Sequence, residues 1–63
     1  MKRVETGDLI FFIRAKFYAL ILNTITKRTN ETYHKVLFIS DGSSGLFTSE
    51  LLNNRNEVRN INE

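Results

Sequence analysis

Apolar residues in this chain fall into runs rather than along a helical stripe. Leu9, Ile10, Phe11, Phe12 and Ile13 are continuously apolar and follow the turn pair Gly7-Asp8. Arg14-Ala15-Lys16 interrupts them, and Phe17 to Thr26 resumes with aromatic and β-branched residues. A helix over 9–22 competes, because Ala, Leu, Arg and Lys are good helix formers. Against it, apolar residues occupy nearly every angular position, so no polar face is left. Two strands joined by a short polar turn at 14–16 explain the interruption. The polar stretch Lys27-Arg28-Thr29-Asn30-Glu31 then suits a hairpin loop, and Thr32 to Ile39 is again β-branched and aromatic. Asp41-Gly42 is the strongest turn signal and predicts a two-residue type I′ hairpin, since Gly supplies φ > 0 without steric cost. A fourth strand follows, roughly Ser44 to Thr48, and Ser49-Glu50-Leu51-Leu52 reads as one tight 3₁₀ turn.

Beyond Leu52 the composition changes. Residues 53–63 contain five asparagines, and Val58 and Ile61 are their only aliphatic residues. This stretch reads either as a weakly ordered end or as a short last strand at 57–61. Five short strands in one domain spanning 1–63, with the 3₁₀ turn before the last, give an all-β expectation: a small five-stranded SH3-like barrel.

Four words in this order also resemble small SH3-like β-barrel proteins of tailed bacteriophages. Gly7-Asp8-Leu9-Ile10 is similar to their "GDLV" opening, and Ala19-Leu20-Ile21-Leu22 to the "GIVL" of their second strand. Lys35-Val36-Leu37-Phe38 with Asp41-Gly42 is similar to their "KVLW…DG" hairpin, and Ser49-Glu50-Leu51 to the "SEL" before their last strand. The match covers about residues 7–52. Phe38 stands where the family has Trp, which removes an indole donor, and Ala19 stands where it has Gly. The resemblance implies an accessory protein of phage type, located in the host cytoplasm or the virion, with no assigned activity.

Composition narrows the chemistry. Among 63 residues there is no Cys, no Pro, no Trp and a single histidine, His34. Disulfides, thiolate metal sites, thiol nucleophiles and paired-imidazole motifs are thereby excluded. The carboxylates are scattered, Asp41 in a turn and Asp8 where its side chain can bond nearby backbone, so no acid–base pair is evident. Gly42-Ser43-Ser44-Gly45 lacks the Gly-Lys-Ser/Thr ending of a phosphate loop. The reading is non-enzymatic, with no cofactor and no metal. Alternation in the third strand puts His34, Val36 and Phe38 on the core face, with His34 as a half-buried, hydrogen-bonded ring at its rim. Tyr33, Lys35, Leu37 and Ile39 take the other face. Residues 9–22 hold 12 apolar residues in 14, shorter than a membrane span and broken by Arg14 and Lys16. Glu5 and Asp8 ahead of that run, with no small-residue cleavage site after it, fit a signal peptide poorly. A soluble protein without membrane contact is expected.

Two binding readings follow. Strand one is apolar on both faces, and Leu20, Ile21 and Leu22 repeat that pattern. A single sheet face cannot bury all of these unless a curved strand serves both halves of a closed barrel. Exposed apolar surface marks an interface, so the first reading is a protein-interaction module. It would self-associate or bind a virion or host protein, with Phe11, Phe12, Phe17 and Tyr18 as anchors. The alternative is weak, sequence-tolerant nucleic-acid binding through Arg14, Lys16, Lys27, Arg28, Tyr33 and Lys35. The net charge of +2 lies entirely in residues 1–22, which is modest for a nucleic-acid surface.

Overall fold

The computed structural model describes residues 3–61. Five strands, β1 (Leu9–Phe12), β2 (Phe17–Thr26), β3 (Thr32–Phe38), β4 (Ser44–Thr48) and β5 (Val58–Asn60), form one antiparallel sheet in the order β4-β3-β2-β1-β5. One helical turn, α1 (Ser49–Leu52), joins β4 to β5. The sheet is open, with β4 and β5 as its edges.

The pairing sorts a sequence that alternation alone could not. Ile10 lies opposite Ala19 and Phe12 opposite Phe17, so these four share the inner face. Leu9 with Leu20 and Phe11 with Tyr18 share the outer face. On the inner face Ile10, Ala19, Ile21, Val36 and Val58 are buried, and Val4, ahead of β1, and Leu52, in α1, cover them. The rings of Phe12, Phe38 and Phe47 extend this core, with centroids 5.2–6.0 Å apart in tilted and edge-on contacts. Gly45 makes room for them: a Cβ there would lie 3.0 Å from the Phe47 ring.

A bulge shifts the phase of β2. Ile21 pairs with Val36 but Asn23 pairs with Lys35, leaving Leu22 as the extra residue. Inward-facing positions therefore pass from Ile21 to Thr24, which brings the Thr24 hydroxyl to 3.0 Å from His34 Nδ1. His34 is consequently a core residue, 3% exposed, rather than a half-buried ring at the rim.

Three turns depart from expectation. The β1–β2 loop includes Ile13 and spans 13–16. Lys16 N–H donates to the Phe12 carbonyl over 2.7 Å, with Lys16 at φ +60°. The β3–β4 loop is built the same way across 39–42, where Gly42 N–H donates to the Phe38 carbonyl over 2.9 Å and Gly42 sits at φ +74°. It is thus a four-residue loop and not a two-residue type I′ turn, because Asp41 keeps a negative φ and only Gly42 goes left-handed. The segment at 49–52 is α-helical rather than 3₁₀: Asn53 N–H reaches the Ser49 carbonyl at 3.0 Å, and the Thr48 hydroxyl caps the start by accepting from Leu51 N–H.

Asparagines tie the second edge of the domain together. Asn53 accepts from Val4 N–H at 2.9 Å and donates from its amide to the Ser49 carbonyl at 2.7 Å. The Asn54 carbonyl takes the N–H groups of Glu57 and Val58, and Asn60 donates to Asp8 Oδ2 at 3.0 Å. Asp8 Oδ2 also accepts from Glu5 N–H at 2.9 Å, which fixes the entry into β1. Asn62, the fifth asparagine, lies outside the described residues.

Candidate protein-interaction surface

The outer face of the sheet carries the apolar residues that the core does not use. One cross-strand row runs Leu9–Leu20–Leu37 over β1, β2 and β3. A second pairs Phe11 with Tyr18, whose rings meet at 4.8 Å, and is extended by Ile39, whose N–H donates to the Tyr18 carbonyl. Toward the β4 edge, Leu46 lies opposite Lys35. Tyr18 and Leu46 are each 50% exposed and Ile39 55%, whereas inner-face Ile10 and Val36 are fully buried. Leu9, Phe11, Leu20 and Leu37 are half-buried beside the exposed three, and contiguous exposed apolar residues on a protein surface mark an interaction site. Two charged groups enter this face, Lys35 in the middle of β3 beside Leu46 and Arg59 opposite Phe11 on β5.

The four expected anchors divide between the faces. Phe11 and Tyr18 form one outer-face pair. Phe12 faces inward and is packed against the core, and Phe17 sits at the inner rim, its ring 6.1 Å from Phe38 and still half exposed. Leu37, Ile39 and Leu46 belong to the outer surface and were not among the expected anchors. Alternation in β3 already set Leu37 and Ile39 opposite the core, and that was the available signal.

The basic residues do not converge. Arg14 and Lys16 occupy the loop at one end of β2, where exposed Arg14 lies 3.5 Å from half-buried Glu57 in a surface ion pair of little energetic weight. Lys27 and Arg28 occupy the loop at the other end. Ten residues of strand separate the two groups, roughly 30 Å if fully extended. Lys27 Nζ rests 4.6 Å from the Tyr33 ring centre, and the Tyr33 hydroxyl donates to Glu31 at 2.5 Å. That hydrogen bond, with the Glu31 charge behind it, raises the Tyr33 phenol above its usual range and places a carboxylate beside the basic loop. Lys35 stands apart, mid-strand on the outer face.

Two further polar features have local roles. Ser43 donates from its hydroxyl and its N–H to Asp41 Oδ1, at 2.6 and 2.9 Å, which holds the Asp41 carboxyl below its usual range and closes the β3–β4 loop. Burial first, and the Arg3 charge second, hold the His34 imidazole below the ordinary histidine range. His34 Nε2 finds no hydrogen-bond partner among the described residues. Among those residues no helix is long and apolar enough to cross a membrane. No protein-family model, curated protein or solved structure matches the chain.

Proposed function

We propose that this chain is a non-enzymatic protein-interaction module, a small SH3-like barrel of the kind tailed bacteriophages use as accessory proteins. Its outer sheet face docks a protein surface. The observation that carries the reading is the pair of apolar outer-face rows, Leu9–Leu20–Leu37 beside Phe11–Tyr18–Ile39, half-buried at Leu9, Phe11, Leu20 and Leu37 and open at Tyr18 and Ile39, behind which the core is closed on the other side. A barrel-like wrap is supported by the bulge that bends the long β2 and by α1, which carries the chain from one sheet edge to the other. Phe11 and Tyr18 are the anchors, with large rigid rings held as a pair before any partner arrives.

A photoreactive phenylalanine analogue at position 18 tests this in cells that naturally express the chain. The reading predicts a protein adduct that resists rising salt, since an apolar contact is little screened, and no adduct from position 29 on the far loop. A position-18 probe that captures no protein would contradict it. An adduct abolished by nuclease and by salt would transfer the function to nucleic acid.

A further inference from the structure

The edge strand β4 lacks the charges, prolines and bulges that natural sheets use to keep edges single. Proteins blunt exposed edges with charges, proline, bulges or very short strands. Here Ser44-Gly45-Leu46-Phe47-Thr48 contains no charge and no proline, pairs with β3 without a register shift, and reaches ordinary strand length. The opposite edge is different. β5 has three residues, and Val58 N–H is already donated to the Asn54 carbonyl.

Register decides which β4 groups face outward. Phe38 N–H donates to the Ser43 carbonyl, so Ser43 points its backbone toward β3. Gly45 and Phe47 follow it inward across the ladder; Ser44 and Leu46 direct N–H and C=O to the open edge, and Thr48 its N–H, the Thr48 carbonyl opening α1 as its N-cap. The side chains at those outward positions read hydroxyl, apolar, hydroxyl. That order is its own complement when a second copy approaches antiparallel about a two-fold axis.

From this we infer that two copies of the chain join β4 to β4, centred on Leu46, into one continuous ten-stranded sheet. Leu46 then lies opposite the partner's Leu46 and exchanges both backbone hydrogen bonds with it. Ser44 lies opposite the partner's Thr48, where two hydroxyls can bond across the strands. On the inner face the non-hydrogen-bonded pair sets Gly45 opposite the partner's Phe47, so the ring meets no Cβ. A two-fold axis perpendicular to the sheet keeps outer face with outer face, and the exposed Leu46 side chain becomes part of a joint apolar surface. The inference does not rest on the outer-face docking reading, because the contact is made by backbone at the edge.

Light scattering on the native 63-residue chain at about 100 µM is expected to give twice the 7.4 kDa chain mass, dissociating on dilution. Leu46→Pro removes an N–H that points away from β3 and is tolerated at an edge; it is expected to give a folded monomer by circular dichroism. Should Leu46→Pro not fold, Leu46→Lys decides, since it sets two like charges face to face. Tyr18→Thr is expected to stay dimeric. The Leu46 amide is expected to exchange slowly in the concentrated native protein and fast in Leu46→Lys. A native monomer at that concentration overturns the inference. So does a dimer that survives Leu46→Lys with a fast-exchanging Leu46 amide, a dimer lost only in Tyr18→Thr, or a larger ring formed by β4 on β5.

Discussion

The two faces of this sheet are built from the same residue types and meet opposite fates. Leu20 and Ile21 are chain neighbours on β2. Ile21 is 1% exposed in a core with Ile10, Val36 and Leu52, while Leu20 lies in an outer row that water reaches. Burial on the inner face stabilises the fold of one chain. Apolar residues on the outer face contribute cross-strand contacts of a few tenths of a kcal/mol up to about 1 kcal/mol each. That is less than their full burial would bring, and the shortfall is what a docked surface can supply. Hydrophobicity alone therefore does not locate a core in so small a sheet; pairing and coverage do.

Truncating each face in turn gives the largest contrast. Ile21→Ala is expected to cost about 2–5 kcal/mol, enough to unfold a domain of this size. Leu20→Ala, one residue away, is expected to cost about 1 kcal/mol. Urea denaturation of both variants measures the difference, and equal losses would dissolve the distinction between the faces.

The inner face contains one titratable ring, and acid should find it. His34 has a folded-state pKa below that of the unfolded chain, so the unfolded state binds more protons as pH falls. Its contribution to stability is complete above the unfolded value of about 6.5 and is lost as pH drops through the lowered folded value. Urea midpoints measured from pH 8 down to pH 5 should be level at first and then decline, and the decline should be shallower in His34→Leu. An identical decline in both proteins would place the acid sensitivity elsewhere.

A smaller effect lies in the loops that set register for both faces. The loops at 13–16 and 39–42 share one hydrogen-bond geometry, yet the left-handed position is Lys16 in one and Gly42 in the other. Lys16→Gly is expected to raise stability by about 0.5–1 kcal/mol by relieving the Cβ crowding, less whatever entropy the unfolded glycine gains. Thermal unfolding reads the sign directly, and a lowered midpoint would mean that Lys16 holds the turn through a contact of its side chain.

Much of this architecture was legible in the sequence. Arg14-Ala15-Lys16, Lys27 to Glu31 and Asp41-Gly42 break the apolar runs close to where the strands end, and the single helical turn begins at Ser49 and contains the Ser49-Glu50-Leu51 word. The faces of β1 were not legible, because Leu9-Ile10-Phe11-Phe12 has no alternation. Only its pairing with β2 separates Phe11 and Tyr18 from Phe12 and Phe17. The depth of His34 was hidden for a related reason: a one-residue bulge at Leu22 sets which β2 residue meets it. Asparagine-rich composition after Leu52 gave no hint that Asn53 and Asn60 would bond to Val4 and Asp8, since those contacts span about the length of the chain.

The most direct test of the outer face as a docking surface is the double variant Tyr18→Thr/Ile39→Thr, with urea unfolding in dilute solution and adduct formation from a probe at position 11 measured together. Both side chains are at least half exposed, so stability is expected to stay within about 1 kcal/mol of the native chain while the adduct disappears. A stability loss matching that of Ile21→Ala, with the adduct unchanged, would show that this face serves the fold and not a partner.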